Sequence, residues 1–200
     1  MTIIYLVRHG ETVANAAQAF QGQQNSPLND VGKAQADTVA KGLVETKFDA
    51  VFSSDLDRAA DTAAAIAKEQ GFLGEITLDT RFREANFGEW EGHTYENVMK
   101  TWPDIAKAWL KDSYNTRPPG GETLDEVVRR VSDGLIEISA KYPQGTVLVV
   151  CHGGTIRGAI CFALGVSANI FSKISIDNCS VTVISLDESR AKLKKLNLTF

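Results

Sequence analysis

No stretch of the 200 residues is apolar for the roughly 20 positions that a membrane-spanning helix needs. The opening run Met1-Thr2-Ile3-Ile4-Tyr5-Leu6 also lacks the basic region and small-residue cleavage site of a secretory signal, and reads as a first strand. These two absences predict a cytoplasmic chain with no membrane partner. An excess of positive charge is missing as well: the formal net charge is -4. Nucleic-acid binding wants a basic face, so that class is set aside. An anionic substrate then has to be captured by a local basic pocket, not by the field of the whole chain. Cysteine is scarce and odd in number (Cys151, Cys161 and Cys179), with no zinc-type spacing. Buried thiols in a reducing compartment are expected. Cys151 stands beside His152, but at the end of the apolar run Val147-Leu148-Val149-Val150, where an inert thiol is the natural reading. No internal repeat or low-complexity tract is present.

What is present suits one α/β domain. A content of 44% hydrophobic and 23% charged residues is enough for a real core. Ile3 to Val7, Asp49 to Ser53 and Thr146 to Val150 are short apolar runs of the kind that form buried parallel strands. Ile76 to Leu78 is a weaker one, and Ile174 to Ile176, Val181 to Leu186 and Ala191 to Leu198 read as closing strands. Between them lie helical patterns. Asp30 to Val44 places Val31, Ala34, Val39 and Leu43 near helical spacing, with the Asp30 carboxylate as its cap. Asp57 to Gln70 is alanine-rich and stops at Gly71. Thr123 opens a helix with Glu126 three residues on, a capping box; its core face is Leu124, Val127, Val128, Val131, Leu135 and Ile138. Another helix is expected from about Gly154 to Leu164. The alternation predicts a mainly parallel central sheet with helices on both faces. Residues 87–121 hold all three tryptophans and end at Pro118-Pro119-Gly120-Gly121. They read as an irregular, partly helical insertion within a single domain of residues 1–200.

Ligands of open α/β sheets bind beyond the carboxyl ends of the strands. The first strand ends Val7-Arg8-His9-Gly10, the second ends Phe52-Ser53-Ser54-Asp55 with Arg58 one turn on, and the Thr146 strand ends Cys151-His152-Gly153-Gly154. Arg8, His9, Arg58 and His152 therefore converge on one rim. Each alone has a bland reading as a rim or surface residue. Together they crowd two fixed and two potential positive charges, which is unfavourable unless an anion sits among them. Arginine forks match phosphate oxygens. A metal site from His9, His152 and a carboxylate fits poorly: the His-Glu-x-x-His spacing is missing and the arginines repel a cation. The glycine-rich stretch from Gly153 to Gly158 lacks the lysine of a P-loop, although its helix N-terminus suits phosphate.

The motifs resemble the histidine phosphatase superfamily, also called phosphoglycerate-mutase-like. The matching blocks are Leu6-Val7-Arg8-His9-Gly10-Glu11-Thr12 with Asn15, Phe20-Gln21-Gly22, Pro27-Leu28-Asn29 with Gly32, and Ser53-Ser54-Asp55-Leu56-Asp57-Arg58-Ala59. They continue with Arg83-Glu84, Phe87-Gly88-Glu89-Trp90-Glu91-Gly92, Pro119-Gly120-Gly121-Glu122 and His152-Gly153-Gly154, in family order along nearly the whole chain. The resemblance implies that His9 is the nucleophile and becomes phosphohistidine. It implies that Arg8, Arg58 and His152 clamp the phosphoryl oxygens, and that Asn15 and the backbone near Gly153 complete the pocket. Glu84 is then the proton donor to the leaving group, and Gln21 and Gly22 line the opening. No metal or other cofactor is implied.

The chemistry agrees. Phosphoryl transfer asks for positioning and for charge stabilisation around the equatorial oxygens. An attacking imidazole must be neutral; neighbouring cations favour that form, and a backbone carbonyl can hold the tautomer. The expected reaction is hydrolysis of small phosphate esters. The runner-up is a mutase returning the group to another hydroxyl, which wants further basic residues; the insertion offers Lys100, Lys107, Lys111 and Arg117 with no adjacent arginine pair. A non-catalytic phospho-ligand binder would have lost one of these groups, and a protein phosphatase wants an uncovered pocket. His93 reads as a surface or specificity residue, and the tryptophans as packing. Monomer and homodimer both stay open.

Overall fold

The strands form where β-branched and aliphatic residues run together. The computed structural model describes residues 1–187 and 190–200. β1 (Thr2–Arg8), β2 (Ala50–Ser53), β3 (Ile76–Leu78), β4 (Thr146–Cys151), β5 (Val181–Leu186) and β6 (Ala191–Leu198) make one sheet in the order β3-β2-β4-β1-β5-β6. β4 is buried from Val147 to Cys151, as a central strand covered on both faces must be. β1, β2, β3 and β4 pair in parallel; β5 runs antiparallel to β1, and β6 antiparallel to β5. β6 is an edge strand whose Lys192, Lys194 and Lys195 discourage pairing with another chain.

The helices are α1 (Val13–Ala16), α2 (Asp30–Gly42), α3 (Asp57–Glu69), α4 (Tyr95–Thr101), α5 (Pro103–Lys111), α6 (Leu124–Lys141) and α7 (Gly153–Leu164). Strand alternation sends Val7, Leu148 and Val150 to one face, where Ala36, Val39 and Ala40 of α2 and Ala59, Ala63 and Ile66 of α3 cover them. Ile4, Leu6, Val147 and Val149 face the other way, against Val127, Val131, Leu135 and Ile138 of α6 and Ile156, Ala159 and Ile160 of α7. Each such fully buried Val, Leu or Ile side chain contributes about 1.5–3 kcal/mol. This is a single α/β domain with a mainly parallel six-stranded sheet, as the alternation predicts. None of its helices is long and apolar enough to cross a membrane, among the described residues.

α6 starts as expected, with both halves of the Thr123/Glu126 capping box formed. α2 differs. Asn29, not Asp30, is its cap: Asn29 is extended and its Oδ1 accepts from the Gly32 N–H at 2.8 Å, while Asp30 lies one residue inside the helix. Its buried face also turns away from Val31 and Ala34 to Gly32, Ala36, Val39 and Ala40. Ile174 to Ile176 is no strand. Ile176 is buried and Ile174 packs beside it, but their backbone carbonyls accept from arginines instead of a neighbouring strand: Ile174 O from Arg157 Nε at 2.8 Å, Ile176 O from Arg8 Nη1 at 2.6 Å.

Residues 87–121 carry a 3₁₀ turn (Gly88–Trp90), α4 and α5, gathered around Trp90, Val98 and Ala106. Trp90 packs against Phe20 and Trp109, which ties this segment to the loop after α1. Gly88, at φ +54, lies so close to the Pro119 carbonyl that a Cβ would come within 2.1 Å of the oxygen, so only glycine fits.

Candidate active site

The strand register brings the rim together. Arg8 stands opposite Cys151 and Ser53 opposite Val150, so His9, His152 and the turn into α3 leave the sheet at one level. The His9 and His152 rings lie 5.1 Å apart between centroids. Both are buried, as is Arg58 at 1% exposure.

Each ring has its tautomer fixed. His9 Nδ1 lies 2.7 Å from the Gly10 carbonyl, which can only accept, so Nδ1 carries the proton and Nε2 holds a bare lone pair. Burial first, then Arg58 and Arg8, hold the His9 pKa well below the ordinary value of 6.5. The ring is therefore neutral. Arg58 Nε donates to His152 Nδ1 at 3.2 Å, so neutral His152 carries its proton on Nε2. His152 is likewise held well below its ordinary value by burial, then Arg58 and His9.

The two arginines are anchored by carbonyls. Arg58 Nη1 and Nη2 donate to Gln24 O and Gly22 O at 2.9 and 2.7 Å. Arg8 donates to Ile176 O. Neither forms an ion pair among the described residues. Burial lowers both, Arg58 to about 10, and the strongest opposing influence on each is the Glu84 carboxylate. Arg8 Nε, Gln21 Nε2 and His152 Nε2 are three of the seven buried polar side-chain atoms without a hydrogen-bond partner among the described residues, Trp90 Nε1, Trp109 Nε1, Ser180 Oγ and Ser185 Oγ being the others. Each such donor costs about 1–3 kcal/mol unless something accepts from it. Anionic oxygens would satisfy Arg8 Nε, Gln21 Nε2 and His152 Nε2.

Glu84 reaches the same rim. Its Oε2 accepts from the Gly154 N–H at the start of α7 (3.1 Å) and its Oε1 from Ala85 N–H (2.8 Å). Gly153 sits beside Arg8: a Cβ there would lie 3.7 Å from Arg8 Nε. Asn15 Oδ1 accepts from Thr12 N–H at 3.2 Å and from Asn178 Nδ2 at 3.4 Å. Gln21 Oε1 accepts from the Thr12 hydroxyl at 3.0 Å. Gly22, at φ +54, hands its carbonyl to Arg58. His93 stacks edge-on against Trp102 at 5.4 Å, within the tryptophan-bearing segment.

Asn178 and Arg130 escaped the sequence reading, and Glu91 and Glu122 stood in it only as members of matching blocks, with no role attached. Asn178 donates to the His9 carbonyl at 3.0 Å. Glu91 accepts from the Gln23 and Gln24 N–H groups and so shapes the loop that holds Arg58. Arg130 on α6 and Glu122 bind the turn that carries Glu84. The one signal for Arg130 is its place on a helical stripe between Val127, Val131 and Gly134, all buried. The three cysteines are free and buried, and burial raises their thiols, Cys161 to about 11 and Cys179 to about 12. Among the described residues no three His, Cys, Asp or Glu side chains stand together as a metal set.

Comparisons with known proteins identify the family. The family model for the histidine phosphatase superfamily (branch 1) matches residues 4–199. Phosphoserine phosphatase 1 of Hydrogenobacter thermophilus is 34% identical over 199 residues, covering 100% of this chain and 93% of its own. Phosphoglycerate mutase-like protein 4 of Arabidopsis thaliana is 40% identical over 156 residues, covering 77% of this chain and 67% of its own. The solved structure of a mycobacterial glucosyl-3-phosphoglycerate phosphatase superposes with a TM-score of 0.89 at 30% identity, covering 98% of this chain and 99% of that one. With strand-end histidines, buried arginines and a family match over nearly its full length, the chain belongs to the histidine phosphatase superfamily, branch 1.

Proposed function

We propose that this phosphoric monoester hydrolase transfers the phosphoryl group of a small phosphorylated metabolite to Nε2 of His9 and then to water. The observation that carries the reading is the His9 ring: neutral, with Nδ1–H committed to Gly10 O, and its free lone pair beside buried cationic donors. Attack forms the N–P bond as the ester P–O bond breaks. Arg8, Arg58 and the His152 Nε2–H take the equatorial oxygens, where charge builds. Asn15, the backbone at Gly153 and the α7 N-terminus complete the phosphate pocket, with Gln21 and Gly22 at its opening. Glu84 gives the departing alkoxide its proton; it then takes one from the water that cleaves the phosphohistidine.

Hydrolysis is favoured over mutase chemistry by one further observation. Arg117, a cation that a second anionic group could use, is engaged by Glu126 at 2.9 Å. The relatives named for phosphoserine and for glucosyl-3-phosphoglycerate support small phosphorylated substrates. We place the chain in the cytoplasm and read residues 87–121 as an insertion that, with the Gln21 to Gln24 loop, narrows access to His9.

Rapid acid-avoiding quench with a ³²P-labelled ester tests the intermediate. Label stable in base and labile in acid is expected on the wild type and absent from His9→Ala, whose turnover drops by roughly 10⁴-fold or more. Label that persists in His9→Ala refutes the assignment. Glu84→Gln is expected to slow β-glycerol phosphate on the order of 10²-fold or more and p-nitrophenyl phosphate far less, because nitrophenolate scarcely needs a proton. Equal losses remove Glu84 from the acid role.

A further inference from the structure

We infer that Arg130 is a positioning residue for Glu84, setting the proton-delivery step without touching the substrate. The inference rests on the reading of Glu84 as general acid. Glu84 sits on neither strand nor helix: it follows a single 3₁₀ turn (Thr80–Phe82) in an irregular stretch. A carboxyl group that must meet a leaving oxygen has to be held within about 0.5 Å, which such a stretch does not do by itself.

The Arg130 guanidinium supplies the hold. Its Nη1 donates to Arg81 O and Arg83 O, both at 2.7 Å, and its Nη2 to Glu84 O at 2.9 Å. The remaining N–H groups go to Glu122: Nε to Oε1 at 2.8 Å and Nη2 to Oε2 at 3.0 Å. A guanidinium has five N–H donors, and all five are spent here. Glu122 Oε2 also accepts from Asn86 N–H, and Glu122 N–H donates to Asn86 O, both at 2.8 Å. The turn is thus gripped on both sides of Glu84. Gln23 Nε2 adds a bond to Glu84 O at 3.1 Å. With its carbonyl pinned, the Glu84 side chain is delivered to the Gly154 N–H at the head of α7. Lysine cannot replace this arrangement. It has three donors on one point, so at least two of the five acceptors lose their bond from residue 130.

Arg130→Lys tests the role with two esters that differ in their need for a proton. Turnover of β-glycerol phosphate is expected to fall on the order of 10²-fold, the scale of a misplacement near 1 Å. Turnover of p-nitrophenyl phosphate is expected to stay within about threefold, its leaving group needing little acid help. The inhibition constant of inorganic phosphate stays unchanged, because Arg8, His9, Arg58 and His152 are not touched. In a Glu84→Gln background, Arg130→Lys adds no further loss on glycerol phosphate. Equal losses on both esters, or losses that multiply with Glu84→Gln, overturn the positioning role while ester selectivity in Glu84→Gln alone keeps the acid. Absence of selectivity in Glu84→Gln takes both readings down. If circular dichroism shows Arg130→Lys unfolded, Glu122→Gln loosens the same grip from the other side. It is expected to give a smaller loss with the same ester selectivity, and an unselective loss there overturns the inference.

Discussion

Two groups of arginines divide the molecule. Arg81, Arg83, Arg117, Arg129 and Arg130 each meet a carboxylate, from Asp79, Asp55, Glu126, Asp125 and Glu122 in turn. Arg8 and Arg58 meet only carbonyls and an imidazole, although Arg58 is the most buried of all at 1% exposure. A charge taken out of water without a counter-charge costs several kcal/mol, so a fold does not leave one so by default. Arg81, Arg83, Arg117, Arg129 and Arg130 are neutralised within the chain, whereas Arg157, away from that set, meets the Ile174 carbonyl. The arginines facing His9 are left for a ligand to neutralise, and backbone carbonyls aim them without cancelling their charge.

The sharpest way to break this comparison is Arg58→Lys. Lysine keeps the charge but cannot reach Gly22 O, Gln24 O and His152 Nδ1 together. Without the Nε–H bond, His152 loses the partner that fixes its tautomer. The value of kcat/KM on p-nitrophenyl phosphate is expected to drop on the order of 10²–10³-fold, the scale of losing a preorganised oxyanion donor. A loss below fivefold would mean that charge alone matters and the carbonyl aiming does not.

Gly154→Ala has the next largest effect and separates geometry from stability. The new Cβ would lie 2.2 Å from Glu84 Oε1. That atom is the end of a flexible side chain, so the carboxylate swings aside while the fold stays. Turnover of alkyl esters is expected to fall roughly 10- to 100-fold, with thermal stability altered by less than about 1 kcal/mol, since alanine suits a helix better than glycine. A large drop in melting temperature would instead show that the contact is structural.

The contrast between the arginine groups also explains what the sequence could reveal. Arg8, His9, Arg58 and His152 follow directly from strand ends and one helical turn, so short-range patterns locate them. Arg130 reads as one of two arginines on a helix. Its three carbonyl acceptors lie 46 to 49 residues earlier, on a turn without a periodic signal, and only the folded chain joins them. Ile174 to Ile176 has the β-branched composition of a strand, yet its carbonyls accept from Arg157 and Arg8, which lie far away in sequence and leave no local signal. The Asn29 cap was hidden for a simpler reason: Asn and Asp stand side by side and cap equally well, so composition cannot choose between them.

The buried rings bring a pH dependence of the same sign as that of paired carboxylates, and opposite to that of a histidine held by an anionic partner. The folded-state pKa values of His9 and His152 are depressed well below 6.5. The unfolded chain therefore binds protons that the folded chain refuses, and stability is lost as pH falls from about 6.5 toward the folded values. Each ring contributes a loss approaching about 1.4 kcal/mol per pH unit below that point. Denaturant titrations at pH 7.5 and 5.5 are expected to show the decline, and His152→Asn is expected to make it shallower. A decline that is the same in wild type and variant would place its origin elsewhere. In the proposed mechanism the same depression favours the neutral His9 ring that attack on phosphorus needs.

The smallest effect should come from the paired side of the comparison. Arg117 is half exposed and bound to Glu126 at 2.9 Å; surface pairs of this kind contribute about 0–1 kcal/mol. Arg117→Gln is expected to change kcat/KM by less than about twofold on p-nitrophenyl phosphate and on 3-phosphoglycerate alike, a scale in keeping with so weak a pair. The choice of two substrates gives the measurement its force. A residue that serves a loop lowers both equally or neither. A residue that serves a second anionic group lowers only the substrate that carries one. Selective loss on 3-phosphoglycerate would move Arg117 from the neutralised group to the ligand-facing group, and would bring the chain closer to mutase chemistry than its unpaired arginines alone allow.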